Sequence, residues 1–394
     1  MNVIVNKTIQ IKMVYWILGI TLIILTFVGL SSNKASARKS IWAMFIAFTL
    51  FQGLRWNTGA DWQQYLRVFQ TCDWNHIFSF DRGDGTRNME FGYVFINILI
   101  KTLFKEYTFF LLITCGFINL MYMKIVKLYI PEKYQPLAYA LSLMMSNIFP
   151  VRQALACSVF IGFGVSSILS HNWKQYLIVV CTCCTIHTSC LILVPFYFVG
   201  KYIKSSILIC IFLSFSIIVG YVPALMDKVI QLPIIRELAF ASLVERYQDT
   251  GLTVEKSGLL DNTMTIIFVI LQILLFSWLR EKHRDDNFNY KLYTLCLNFY
   301  VITATCRQIS IYPGLNEFAR FSYFAGIGYI ILVSSTFIYF LKNYKKYTYG
   351  VELVFVVFML FKVNAIFKDS YSELFVPYYS VFEHSPQRDG WILF

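Results

Sequence analysis

Charge is what this chain has least of: only 14% of its 394 residues are Asp, Glu, Lys or Arg, where soluble globular proteins carry about 25%. With 57% hydrophobic residues and a mean hydropathy of +0.59, a soluble α/β enzyme is excluded. Nucleotide chemistry has no foothold either. There is no Walker A sequence, no Asp-x-Asp pair and no Gly-x-Gly-x-x-Gly turn opening a helix, so no backbone cradle for a nucleotide's phosphates. The net charge of +12 comes without a basic stripe or an RNA-binding signature, which argues against nucleic acid as a partner. Ten cysteines are present, but none shows zinc-ligand spacing. The densest group, Cys181, Cys183 and Cys184 near His187, lies in an apolar run where cysteine acts as a small hydrophobe. No metal and no cofactor is expected. The first apolar run lacks a small-residue cleavage site and reads as a retained helix.

What the chain does have is apolar blocks of membrane length. They fall near residues 13–30, 40–54, 90–104, 107–123, 136–150, 153–170, 175–187, 189–200, 205–222, 260–279, 290–305, 318–341 and 349–367. The expected fold is therefore all-α: one multi-pass transmembrane bundle over residues 1–394 with about 11–13 apolar segments, some short or re-entrant.

Cations orient it. One set of connections carries Lys34, Arg38, Lys39, Lys124, Lys127, Lys133, Lys174, Lys201, Lys204, Arg280, Lys282, Arg284, Lys291, Lys342, Lys345 and Lys346, and the positive-inside rule makes these cytoplasmic. The opposite set then faces outward, including a 55–89 loop and a second outward loop at 223–259. On this count 90–104 begins and ends outside, as a re-entrant or interfacial segment would, and both termini fall outside.

The two faces differ in cation type. The cytoplasmic set has lysine in all but three positions, whereas the outward set has Arg55, Arg67, Arg82, Arg87, Arg152, Arg236, Arg246, Arg307 and Arg320 against only Lys228 and Lys256. Lysine suits solvated, orienting charge. Arginine offers a rigid donor fork that matches phosphate and keeps its charge when desolvated. Each arginine taken singly is as well explained by pairing with Asp61, Asp73, Asp81, Asp84, Glu90, Glu245 or Glu317. Taken together they point to an outward cavity that binds anions.

Three stretches are sharpest. Arg55-Trp-Asn-Thr-Gly59-Ala-Asp61-Trp-Gln-Gln-Tyr65 follows the second apolar block; Gly59 permits a turn, and Asp61 stands where a helix would start, sharing a face with Tyr65. Glu90 opens the next apolar segment, as a first-turn acid commonly does. In Pro150-Val-Arg152-Gln153-Ala-Leu-Ala156, Arg152 sits at a helix start, where free N–H groups already favour an anion; a snorkelling arginine is the plainer alternative. Ile186-His187-Thr188-Ser189 forms a hairpin corner, where a histidine is a structural hydrogen-bonding group, a proton acceptor or an oriented donor.

These stretches, in this order, resemble the EpsG/Wzy family of membrane polysaccharide polymerases. The matching residues are Arg55, Gly59, Asp61 and Tyr65; Glu90, Gly92 and Tyr93; Arg152, Gln153 and Ala156; and His187 and Ser189. Glu317-Phe-Ala-Arg320 adds a looser likeness in the second half. The resemblance implies joining of oligosaccharide repeat units carried on undecaprenyl diphosphate, at the outer face of the bacterial plasma (inner) membrane, in exopolysaccharide, capsule or O-antigen synthesis. Leaving of the lipid diphosphate would drive the transfer. His187, Asp61 and Glu90 would be the catalytic candidates for base; Arg55, Tyr65, Arg152, Gln153, Arg320 and Glu317 would bind substrate. Trp56, Trp62, Tyr65 and Trp74 are candidates to stack on sugars, with interfacial anchoring the commoner role of such aromatics. Its partners would be that lipid-linked oligosaccharide, membrane lipids and, as a candidate, a chain-length regulator. The rival readings are an O-antigen ligase, a flippase of lipid-linked glycan and a membrane O-acyltransferase.

Overall fold

The computed structural model describes residues 2–31, 34–59, 62–81, 89–150, 152–222, 225, 228, 259–312, 315, 318–368 and 372–382. Among these there is no strand, and the expected all-helical membrane architecture is what the chain adopts. Six helices are long and apolar enough to cross a membrane: Met13–Ser31, Tyr107–Tyr129, Arg152–Leu169, Leu260–Glu281, Phe318–Asn343 and Lys345–Ile366. Several other apolar blocks are shorter. The block at 90–104 is the 14-residue helix Phe91–Phe104, about 21 Å long at 1.5 Å per residue and so short of a bilayer core. The block at 189–200 is not one regular helix: a 3₁₀ turn at Thr188–Leu193 is followed by Pro195 and a short helix at Phe196–Lys201.

Two compact units divide the chain. The first comprises Met1–Val165, Leu177–Leu191 and Phe337–Phe394; the second comprises Ser166–Tyr176 and Ile192–Thr336. In the first, α1 (Asn2–Ser31) and α2 (Lys34–Gly53) form a hairpin packed on α5 (Tyr107–Tyr129) and α6 (Gln135–Met145). Between them in sequence lie α3 (Trp62–Thr71) and α4 (Phe91–Phe104). Then come α7 (Arg152–Leu169), which contains a π turn at Phe160–Gly164, and α8 (Trp173–Ile186). The second unit holds α9 (Phe196–Lys201), α10 (Ser205–Tyr221), α11 (Leu259–Glu281) and α12 (Asn287–Ser310). Two further helices are α13 (Phe318–Asn343) and α14 (Thr348–Ile366).

The two ends of α2 carry different polar chemistry. At its start Arg38 pairs with Glu132 at 2.7 Å, and Lys34 lies 3.6 Å from the same carboxylate. All three side chains are solvent-accessible, as suits orienting charge. Twenty residues later, about 30 Å along the axis, Gln52 donates to the carbonyl of Ile148 at 2.8 Å, and Arg55 to that of Pro150 at 3.1 Å. Thus α2 runs parallel to α6, solvated cations at one end and buried ones at the other.

The 55–89 stretch contains more than a loop. Trp62, Tyr65, Val68 and Phe69 are the buried face of α3, at the spacing of one helical stripe. Lys101, on α4, reaches the carbonyls of Gln70 at 2.6 Å and Cys72 at 2.9 Å, a cation on the negative end of α3. Most of the 223–259 stretch, with Arg236 and Arg246, lies outside the described residues.

Candidate functional site

Arg152 is the centre. It opens α7 and is 4% exposed, a charge that has to be matched or the fold would not tolerate it. Its match is Glu90, the residue before α4, whose Oε2 accepts from the Arg152 Nη1. The other carboxylate oxygen, Oε1, accepts from the backbone N of Thr188 at 2.9 Å and from its hydroxyl at 2.8 Å. Burial pushes the Glu90 carboxyl up; the Arg152 guanidinium and the two Thr188 bonds outweigh it, leaving the group below its ordinary value. Both oxygens are committed, and the carboxylate is ionised. Three sequence-distant segments are thereby tied together by one side chain.

Gly92 explains how α4 comes so close to α8. A Cβ at that position would lie 2.7 Å from the carbonyl oxygen of Thr185 and 2.8 Å from its Cβ, distances no side chain tolerates. The absence of a side chain lets the first turn of α4 press on the last turn of α8, and that approach delivers Glu90 to Thr188.

Below the ion pair lies an aromatic floor. The Tyr93 ring is 5.9 Å from the Arg152 Cζ, and Tyr65 meets Tyr93 edge-on at 5.8 Å. Tyr65 therefore reaches the guanidinium through the Tyr93 ring. Trp62 packs against Tyr107 and is buried with Tyr65, whereas Trp74 is 53% exposed beside Phe95.

Arg55 is handled differently. It is 3% exposed, and its amino groups donate to the carbonyls of Gln52 and Pro150, each at 3.1 Å, with Cys115 Sγ at 3.8 Å. The Phe149 ring lies 5.3 Å from its Cζ. Among the described residues no carboxylate is within ion-pair distance of it. Carbonyl dipoles solvate a guanidinium but leave its charge in place. Arg55 and Arg152 line the same small cavity with Tyr93, Tyr107 and Pro150, its volume about 10 Å³, about one water. Among the described residues, the buried Nε of each arginine has no hydrogen-bond partner.

The Arg55 turn is clasped by the far end of the chain. Trp56 N donates to Tyr379 O at 2.8 Å, Gly59 N to Leu374 O at 2.8 Å, and Val381 N to Leu54 O at 2.9 Å. Tyr378 stacks on Phe51 at 4.9 Å and donates to that residue's carbonyl at 2.8 Å. Gly59, at φ 107, takes the left-handed turn that this path needs.

Of the remaining predicted residues, His187 and Ser189 lie at the α8 corner beside Thr188, with Ser189 Oγ 2.7 Å from His187 Nδ1. Gln153 is half-buried on the first turn of α7. Arg320 is exposed at the start of α13, in the second unit for its own part. Asp61 and Glu317 lie outside the described residues. The Leu374–Val381 segment escaped the sequence reading, and Thr188 and Tyr93 stood in the quoted stretches without a role of their own. All ten cysteines are unpaired, and no group of metal-ligating side chains occurs among the described residues.

A buried guanidinium–carboxylate pair at the meeting of three helix ends, beside a second buried guanidinium, belongs to a multi-pass membrane protein with a polar centre, not to a passive helical scaffold. A model of the EpsG family matches residues 38–380, most of the chain. This chain belongs to that family, whose members are Wzy-like polysaccharide polymerases. No curated protein and no solved structure matches it.

Proposed function

We propose that the Arg55–Arg152 centre receives the diphosphate of a lipid-linked oligosaccharide, and that the chain joins such repeat units at the outer face of a bacterial plasma membrane. One observation carries the reading: two guanidinium groups, both almost wholly buried, line one cavity, and among the described residues only Arg152 has a carboxylate partner and neither Nε has a hydrogen-bond partner. Excess positive charge with spare donors is what a departing diphosphate requires, and such preorganised donors are each worth roughly 10²–10³ in rate. A cavity the size of one water does not hold a diphosphate, so the helix ends have to part when substrate enters.

In the transfer, the bond between the donor sugar's anomeric carbon and the diphosphate oxygen breaks. A new bond forms from that carbon to an acceptor sugar hydroxyl, whose proton goes to a base. The lipid diphosphate leaves with the bonding pair, its charge met by Arg55 and Arg152. Glu90, with both oxygens occupied, suits orienting Arg152 rather than taking that proton; Asp61 is the carboxylate left for that role. Solvated Lys34, Arg38 and Lys39 at one end of α2 and buried Arg55 at the other support an outward site, since topology-setting cations gather on the cytoplasmic side.

Two experiments test this. In a deletion strain, lipid carriers or the downstream acceptor should bear a single repeat unit, seen by electrophoresis of surface glycan and mass analysis of lipid-linked intermediates. Full-length polymer would refute the polymerase reading, absence of any surface unit would indicate a flippase, and polymer lacking only a substituent an acyltransferase. Single cysteines in a cysteine-free chain, placed in 60–88, should react with an impermeant thiol reagent from outside, whereas those at 35–38 should not. Reversed labelling would refute the outer-face assignment.

A further inference from the structure

Gln52 and Asn119 stand outside the cavity, yet they set the gap across which Arg55 is held. Gln52 lies in the last turn of α2 and Asn119 midway along α5; their exposures are 1% and 0%. Asn119 Nδ2 donates to Gln52 Oε1 at 2.9 Å and to Thr49 Oγ1 at 3.0 Å. Gln52 Nε2 donates to the carbonyls of Ile148 at 2.8 Å and Asn147 at 3.4 Å. A carbonyl can only accept, so the amide nitrogen of Gln52 must face the Asn147–Pro150 turn and its oxygen must face Asn119. Asn119 spends its nitrogen on this arrangement while its own Oδ1 is buried without a partner among the described residues. The orientation of Gln52 is thus fixed from both sides.

Arg55 depends on the two segments that Gln52 links. Its Nη1 donates to the Gln52 carbonyl and its Nη2 to the Pro150 carbonyl, one acceptor on each side of the link. Within the turn, Phe149 N donates to Asn147 Oδ1 at 3.1 Å, and the Phe149 ring lies 5.3 Å from the Arg55 Cζ. The turn that Gln52 ties to α2 therefore carries both a carbonyl and the aromatic wall of the guanidinium. Arg55 lines the cavity and Gln52 does not.

We propose that Gln52, oriented by Asn119, is a positioning residue that aims the Arg55 guanidinium into the cavity lined also by Arg152. The inference rests on the diphosphate reading above and deepens it: an uncompensated charge serves a leaving group only from a fixed place. Held by two carbonyls across a set gap, the guanidinium is preorganised and needs no rearrangement as negative charge builds on the diphosphate. Buried amides also join membrane helices as plain interhelical ties. A tie of that kind acts through stability and is indifferent to which side chain stands at position 55.

The test uses that difference. The full chain is purified in lipid nanodiscs with ¹⁵N-arginine, and the Arg55 signals are identified by their absence in Arg55→Lys. The wild type should show separate Nη1 and Nη2 resonances, since each nitrogen has its own carbonyl and rotation about Cζ–Nε is blocked. In Gln52→Met, which keeps the length and loses both side-chain hydrogen bonds, the two should merge. Merged wild-type signals, or separate ones persisting in Gln52→Met, overturn the proposal. Polymer output of Gln52→Met membranes at equal protein level should fall about 10–100-fold. In an Arg55→Lys chain the same substitution should change the remaining output by less than about twofold. An undiminished further loss there would make Gln52 a structural tie alone and overturn the proposal; where Arg55→Lys leaves no output to compare, the spectra decide. Should Gln52→Met fail to accumulate, Asn119→Leu, which leaves Gln52 in place but unoriented, carries the same spectral test. Full-length polymer in the deletion strain would sink the polymerase reading and leave the Arg55 spectra standing, so the two failures are distinguishable.

Discussion

Replacing Arg152 by lysine separates the structural task of this residue from its chemical one. Toward Glu90 the arginine uses a single nitrogen, Nη1, and a lysine ammonium can occupy the same place, so the buried charge stays paired. What is lost is packing over the Tyr93 ring, 5.9 Å from Cζ, worth about 0.5–2 kcal/mol. The folded protein should therefore accumulate normally. What lysine cannot supply is the second edge of the fork, including the Nε that has no partner in the present structure. If that edge meets the leaving diphosphate, losing one transition-state donor costs about 2.7–4 kcal/mol, or 10²–10³ in rate. Chemistry should thus suffer more than stability.

The assay is polymer length and rate in membranes carrying equal amounts of wild-type and Arg152→Lys protein, with apparent thermal unfolding of the purified chains in parallel. We expect near-normal unfolding and collapse of the ladder to one or two repeat units. A wild-type ladder from Arg152→Lys would refute the diphosphate assignment of that edge. A protein that fails to fold would instead refute the claim that one nitrogen suffices for the ion pair.

Three further outcomes follow from the same geometry. Glu90→Gln should destabilise the chain by about 3–5 kcal/mol by leaving a buried guanidinium unpaired; combining it with Arg152→Gln should recover most of that in thermal unfolding without restoring polymer, and strict additivity would contradict the pairing. Gly92→Ala should cost about 1–3 kcal/mol through overpacking, and Thr185→Ala should rescue it only in part in the same unfolding assay, because it removes the Thr185 hydroxyl but leaves the carbonyl oxygen 2.7 Å and the Cβ 2.8 Å away. Tyr378→Ala removes a ring stack and a hydrogen bond, about 1–3 kcal/mol together; hydrogen exchange should then speed up at the amides of Trp56 and Gly59, and unchanged protection there would show that the C-terminal clasp does not hold the Arg55 turn.

Much of this was legible in the sequence because it depends on local composition. Apolar blocks disclose helices wherever they stand, and the first-turn positions of Glu90 and Arg152 follow from where those blocks begin. The expectation that a helix starts at Asp61 is met one residue on, at Trp62, although the buried stripe of α3 was hidden among polar neighbours. Pairing was not legible. Glu90 was one of seven acids available to nine arginines, and which acid meets which arginine is decided by how close two helices can come. The return of Leu374–Val381 to the Arg55 turn was invisible for a different reason: it is built largely from backbone hydrogen bonds, which every residue type can make except that proline has no N–H to donate.

The contrast between the two arginines is what makes this centre more than a salt bridge. Had both been matched by carboxylates, the helix ends would be electrically closed, and an incoming diphosphate would have to displace an acid that holds the fold together. Had neither been matched, two like charges buried around one small cavity would have driven the helices apart. The chain neutralises Arg152 with Glu90 and, among the described residues, surrounds Arg55 with the dipoles of Gln52 and Pro150, the Cys115 sulfur and the face of Phe149. Among the described residues one positive charge is therefore left over, at a place where solvent cannot screen it. Retaining it costs stability, and the devices that offset that cost are the features otherwise hardest to explain: a glycine that admits a carbonyl, a C-terminal segment folded back over the first site residue, and a threonine that occupies the spare oxygen of Glu90.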